Sequence, residues 1–399
     1  MITSRPSIPT ERYRERLASA GALAGEAGLA AILVGVGADM RYLAGYPAMP
    51  LERLTMLVIP AVGGPSLVAP RLEATPARGC PPAAAGDLPV VTWEEDEDPH
   101  ALVADMVREA PAPATSSPVS GRARGGPLRI AVSDGLPARH LLRLQDRLAG
   151  ASFELASPIL GRLRIVKDAD EIALLTEAAH AADRVVAQIA AGRLVGRTES
   201  DVAREVRDRL IAEGHEEAHF AIVGSGPNSA SPHHEASERV IAAGEPIVLD
   251  IGGTIAGYGS DITRTLWVTG GDPAKGPDER FRHLFGVLQG AQAAATRAAR
   301  PGVEPEAVDV AARRPIEAEG YGQAFFHRTG HGIGLEGHED PYIIAGNTDP
   351  LREGMAFSVE PGIYLVGEYG ARIEDIVVCG PDGPIALNEA PRELYVVDG

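Results

Sequence analysis

Apolar positions along this chain recur in two rhythms. Short runs such as Ala31-Ile32-Leu33-Val34, Thr55-Met56-Leu57-Val58-Ile59 and Leu128-Arg129-Ile130-Ala131-Val132 have the length and branched content of strands. Helix-like stretches lie between them, so residues 1 to about 157 read as one α/β domain. Ser157-Pro158 opens a second region, 158–399. There Ile172, Leu175, Ala179, Ala182, Val186 and Ile189 recur at helical spacing and predict a helix over about 169–191. Asp168, with Glu171 three residues on, has the form of a capping box at its start. A second helix is expected after Thr198, over about 199–213, closed by Gly214. Beyond it, strand-like runs alternate with glycine-rich turns, and no solenoid-type repeat is visible. A Pro/Ala/Ser/Gly-rich stretch, Pro111 to Pro127, offers little apolar surface to bury and reads as a mobile loop.

Two of the glycine-containing turns carry acids in symmetric positions. Asp250 and Asp261 flank the Gly252–Gly257 segment, and an antiparallel pairing about its middle would set them opposite each other. Glu360 and Glu374 flank Gly367 in the same way, with Arg372 two residues before Glu374 and so on its face. Like charges facing across a hairpin repel, and a divalent cation is the simplest remedy. His331 stands among Gly330, Gly332 and Gly334, which argues against a helical metal motif and for a glycine-rich loop that lets the imidazole come close to a site. His327 and His338 lie in the same stretch, and His233-His234 form a second cluster. Asp250, Asp261, His331, Glu360 and Glu374 are more ligands than one ion needs. They suit two hard divalent ions side by side, which points to hydrolysis.

Bulk properties narrow the class. The chain has 399 residues, 45% of them hydrophobic, enough for two ordinary domains. A net charge of -18 argues against nucleic-acid binding. The acidic run Glu94 to Asp98 reads as a solvated surface segment. No stretch of 18 apolar residues predicts a membrane span, and the opening MITSRPSIPTERYRERL reads as no signal peptide. Cys80 and Cys379 give no disulfide framework and fit a reducing cytoplasm.

At this point the residues resemble a known family, the "pita-bread" metallopeptidases that include aminopeptidase P, prolidase and methionine aminopeptidase. The matching stretches are LRIVKDADEI (163–172), GSGPNSASPHH (224–234), VLDIGGTIAGYGSDITRT (248–265), HRTGHGIGLEGHED (327–340), FSVEPGIY (357–364) and RIED (372–375). The resemblance implies an α+β chain: a C-terminal creatinase/methionine-aminopeptidase-like catalytic domain, 158–399, behind a smaller creatinase/prolidase-type domain, 1–157. That two-domain plan is similar to the X–Pro-specific branch.

The resemblance also implies roles. Asp250 would chelate one ion, Asp261 and Glu374 would bridge, and His331 would bind the second. Glu360 would be a ligand that also carries a proton. His233 and His338 would bind substrate and favour the developing oxyanion, His327 would line the pocket, and Tyr364 and Arg372 would support. The expected reaction is hydrolysis of the bond before proline by a hydroxide shared between two ions, most simply Mn²⁺, with Co²⁺, Zn²⁺ or Fe²⁺ as alternatives. The expected substrates are short proline-containing peptides, with Xaa-Pro dipeptides favoured over the longer peptides of an aminopeptidase P, and the expected assembly is a homodimer. A dipeptidase must also bind a free carboxylate; Arg53, Arg239 and Arg328 are candidates by residue type. The competing readings are a metal-free binding protein and a creatinase-like C–N hydrolase on the same scaffold.

Overall fold

The computed structural model describes residues 6–111 and 128–399; the loop expected at 111–127 falls, from residue 112 on, outside the described residues. The chain forms two compact units, Ile8–Arg164 and a larger one from Ile165 to Gly399. The sequence places the border at 157. Ser157 and Pro158 instead begin a helix, Ser157–Arg164, that clusters with the first unit. Proline preset to helical φ in a first turn favours that start.

In the first unit, six described strands form one mixed sheet: β1 (Ala31–Val34), β2 (Met56–Pro60), β3 (Ser66–Pro70), β4 (Val90–Trp93), β5 (Arg129–Val132) and β6 (Ser152–Leu155), in the order β4-β3-β2-β1-β5-β6. Leu33, Met56, Val68 and Ile130 meet Val103, Val107 and Leu144 from helices on one face. The run Glu94 to Asp98 is exposed, and Asp98 accepts from the backbone of His100 and Ala101 as the cap of helix Pro99–Glu109.

The larger unit holds β7 (Glu217–Ser225), β8 (Glu245–Ile255), β9 (Tyr258–Gly259), β10 (Ile262–Val268), β11 (Gly330–Gly332), β12 (Glu339–Ile343), β13 (Ala356–Val359), β14 (Gly362–Leu365), β15 (Tyr369–Arg372), β16 (Asp375–Gly380), β17 (Gly383–Ala386) and β18 (Tyr395–Val397). One sheet runs β18-β10-β8-β7 with β9 on β8; another runs β12-β11-β13-β16-β17; β14 and β15 form a hairpin. Helices cover both sheets from outside, which is the pita-bread architecture. Helix Ala169–Ala190 has the expected capping box, and helix Glu199–Ala212 starts on the Thr198 side chain. Both pack Val185, Val186 and Val206 onto Leu249, Ile251 and Leu266. Helices Glu279–Ala298 and Pro305–Ala318 pack Phe281, Leu288 and Val308 onto Phe357, Val359 and Val377. Full burial of such a side chain contributes about 1.5–3 kcal/mol.

Strand alternation converts this packing into a site. On β8, Ile247, Leu249 and Ile251 face the helices, so Asp250 faces the other way. On β10, Ile262 and Leu266 face the helices, and Thr263 and Thr265 turn inward. On the second sheet Phe357 and Val359 face their helices, and Ser358 and Glu360 turn towards the first sheet. An isolated bridge, Thr263 with Glu374, joins the two sheets.

Candidate active site

The inward faces enclose a cavity of about 1020 Å³, lined by Asp250, Asp261, His331, Glu360 and Glu374 among others. All five expected ligands therefore meet, but one pairing differs. Gly252 and Gly253 are inside β8, and the turn is Ala256-Gly257, with φ of 50° and 85°. Two positive φ values in a two-residue loop are the hairpin geometry that matches strand twist. This register sets Thr263, not Asp261, opposite Asp250. Asp261 lies two residues earlier, on the same face and diagonal to Asp250. The glutamates behave as expected: Val359 opposite Asp375 on one ladder and Gly362 opposite Arg372 on the next put Glu360 opposite Glu374.

His331 stands on a short strand rather than a loop. A Cβ on Gly330 would lie 1.9 Å from the Ser358 carbonyl oxygen, and one on Gly332 2.3 Å from that of Asp340. Only glycine lets β11 press this closely between its neighbours. The His331 Nδ1 lies 3.1 Å from the Gly332 carbonyl, which can only accept, so Nδ1 carries the proton. Its Nε2 then faces Glu360 Oε1 at 3.2 Å and Asp261 Oδ2 at 3.8 Å.

These donors fit a divalent cation on four observations. One ligand atom each from Asp261, His331 and Glu374 lies within 4.8 Å of the others. Asp250 Oδ1 is buried with no hydrogen-bond partner among the described residues. Between the His331 Nε2 and these carboxylates a positive charge must stand, a proton on the ring or a cation in its place. Burial raises Asp261 and Glu374 well above the usual carboxylate range, and repulsion among Asp250, Asp261 and Glu360 adds to it. Burial would raise Glu360 too, but the hydrogen bond and charge of His331 hold it at about 2.

Around the acids runs a chain of hydrogen bonds. Arg372 donates to Asp250 Oδ2, to Thr263 Oγ1 at 3.0 Å and to the Tyr364 hydroxyl at 2.8 Å. Thr263 Oγ1 donates to Glu374 at 2.6 Å. The Tyr364 hydroxyl lies 3.0 Å from His327 Nε2, and burial pushes its pKa up to about 12, so it stays protonated. Fully buried Arg264 fixes the frame from behind, donating to Asp375 Oδ1 and the Glu374 carbonyl, both at 2.7 Å. His233 and His338 line the cavity. The His338 ring centroid lies 3.8 Å from that of His331, the two planes tilted by 40°. Its Nδ1 accepts from Arg328, which can only donate, so the proton of the neutral ring sits on Nε2. Desolvation, then the charges of His331 and Arg328, lowers its pKa to about 4.

Three contributors escape a reading of the sequence alone. Glu199, expected only as the first residue of a helix, is fully buried and accepts from Ser225, Asn228, His234 and Ser237 at 2.7 to 3.1 Å. It clamps the segment carrying His233, while His234 points away from the cavity into this clamp. Thr263 and Arg264 sit inside the TRT of the aspartate motif, where only their place beside Asp261 marks them.

The whole chain has known counterparts. Metallopeptidase family M24 matches residues 173–381, and the creatinase/prolidase N-terminal domain matches residues 16–166. A probable dipeptidase PepE of Mycobacterium tuberculosis is 46% identical over 388 residues, 97% of each chain. An Xaa-Pro dipeptidase of Lactobacillus helveticus is 33% identical over 360 residues, 89% of this chain and 92% of that one. The crystal structure of dipeptidase PepE from Mycobacterium ulcerans matches with a TM-score of 0.87 at 44% identity, over 98% of this chain and 99% of that one.

Proposed function

Since the chain belongs to metallopeptidase family M24, we propose that it is an Xaa-Pro dipeptidase that works with two divalent metal ions. The observation that carries this reading is the meeting of three buried carboxylates, the half-buried Glu360 and one imidazole on a single cavity. Asp250, Asp261, His331, Glu360 and Glu374 would hold the ions, and hard oxygen donors in the majority favour Mn²⁺, with Co²⁺, Zn²⁺ and Fe²⁺ as the alternatives. When bound, such ions supply Lewis acidity, making water acidic near neutral pH and drawing electron density from a carbonyl.

The chain's own residues do the rest. Glu360, beside His331, takes a proton from the attacking water and passes it to the proline nitrogen as the C–N bond breaks. Nε2–H of His338, together with His233, donates to the oxygen that gains charge on the former carbonyl. Arg372 holds Asp250 in place, and Tyr364 and His327 extend that support. The acids at this end of the cavity suit a free ammonium group, which makes cleavage start from the amino terminus. The dipeptidase names of its relatives favour Xaa-Pro dipeptides over longer substrates. Two free, buried cysteines fit a reducing cytoplasm, and the family resemblance supports a homodimer.

The test is proline release by Mn²⁺-loaded protein from Ala-Pro and from Ala-Pro-Ala, with metal content measured in parallel. Two ions per chain and preferential turnover of Ala-Pro are expected. Preference for Ala-Pro-Ala would move the reading to an aminopeptidase P, and turnover of neither would remove it.

A further inference from the structure

Helix Pro305–Ala318 carries a buried acid outside the cavity. Val308, Ala312 and Ile316 of this helix pack into the core behind the second sheet, and Asp309, beside Val308, is fully buried as well. A carboxylate shut away from water needs donors on both oxygens. Its Oδ2 accepts from Arg313 Nε at 2.7 Å, one helical turn on. Its Oδ1 accepts from Arg313 Nη2 at 3.1 Å, from Thr329 Oγ1 at 2.7 Å and from the Thr329 backbone N–H at 3.2 Å. Arg313 turns further donors onto backbone carbonyls: Nη1 donates to that of Phe325 at 3.0 Å, and Nη2 to that of His327. Its guanidinium carbon lies 4.3 Å over the Phe325 ring.

The pair thus grips one stretch of chain at Phe325, His327 and Thr329. That stretch leads into the site: Phe326, His327, Arg328 and, two residues past Thr329, His331 all line the cavity. The Thr329 carbonyl accepts from the Glu360 backbone N–H at 2.8 Å. At its other end Glu360 is held by Ser358, whose hydroxyl donates to Oε1 at 3.0 Å. The backbone of the proton carrier therefore hangs from a residue whose own N–H and hydroxyl are fixed by Asp309. Stability alone does not call for charges here, since apolar groups of similar volume often replace a buried ion pair without loss. A carboxylate and a planar guanidinium supply something apolar groups cannot, which is several directed bonds set at fixed angles.

Resting on the dipeptidase reading, we propose that Asp309 and Arg313 are positioning residues for the reaction: from outside the cavity they fix the 325–329 segment and, through the Thr329 carbonyl, the place from which Glu360 moves its proton. Neither side chain touches substrate. Because Glu360 acts as bonds form and break, its displacement should lower kcat and leave KM near its ordinary value.

The test uses Mn²⁺-loaded protein, with Ala-Pro turnover, bound metal and amide hydrogen exchange measured on each variant. Asp309→Asn has one carbonyl oxygen in place of two and cannot serve Arg313 Nε and Thr329 together. It should lower kcat by about 10- to 100-fold, the scale of a misplaced reacting group, with KM and metal content close to wild type. Thr329→Val removes only the hydroxyl contact and should lower kcat by a smaller factor; Thr329→Ser should recover that loss. In both Asp309→Asn and Thr329→Val the Glu360 amide should exchange faster, while the amides of β8, on the other sheet, keep their protection. A fall in kcat matched by an equal loss of metal, a change confined to KM, or unaltered exchange at Glu360 would overturn the assignment and leave the dipeptidase reading intact. Turnover of neither Ala-Pro nor Ala-Pro-Ala by wild type would remove that reading, and the exchange comparison, which needs no substrate, would still decide whether the pair holds Glu360.

Discussion

Glu199 shows how much one buried side chain organises. Burial alone would raise its pKa, yet hydrogen bonds from Ser237, His234 and Ser225 outweigh burial and hold it at about 2, against an ordinary 4.5. A carboxyl depressed in the folded state stabilises the fold above its unfolded pKa, and that stability is lost as pH falls through the folded value. Glu199→Gln should therefore lower Tm at pH 7, with a loss of stability on the order of 3 kcal/mol. The gap between wild type and variant should close as pH falls from 4.5 towards 2. A gap independent of pH in thermal melts would contradict the ionised clamp. The variant should also lower turnover, because the clamp holds the segment that carries His233. None of this was legible beforehand, since Glu199 after Thr198 has the ordinary look of a helix start. The five ligand candidates were legible because acids placed symmetrically about a turn have few structural reasons to be there.

At the scale of elements, periodicity found the two helices with their caps and three of the six described strands of the first unit, because apolar spacing and side-chain capping are local. Register was harder. Centring the first hairpin on its symmetric aspartates misses the true turn at Ala256-Gly257 by one residue, and glycines that look like turn residues lie within β8. Gly252 and Gly253 serve close approach instead: a Cβ there would meet the Ser260 and Glu217 carbonyls at 2.3 and 2.2 Å. The same reasoning applies to β11. Gly330→Ala should push β11 off β13, costing about 1–3 kcal/mol as overpacking does, and should shift His331. A lowered Tm together with reduced metal content is expected. Gly290→Ala, in open space on helix Glu279–Ala298, is the control and should be neutral or mildly stabilising. Equal behaviour of the two variants would refute the close-approach argument.

For the whole molecule, the clustered acids couple metal, protons and stability. Asp261 and Glu374, raised well above the usual range without a cation, must lose their protons for one to bind. Apparent metal affinity should then rise with pH, and adding Mn²⁺ to lightly buffered, metal-free protein should release protons. A titration with no release would show that these carboxylates are already ionised. Chelation should lower Tm as well, since an ion at 100 times its Kd stabilises the folded state by about 2.7 kcal/mol. What the cation does for the fold follows from how β8 is built. Leu249 and Ile251 sit among hydrocarbon on one side of the strand while Asp250, between them, forms the floor of the reaction chamber on the other. The enzyme therefore has no soft working part mounted on a separate rigid chassis. Anything that melts the oily layer behind this sheet tilts the floor in front of it, so heat resistance and working order are one property seen from two sides.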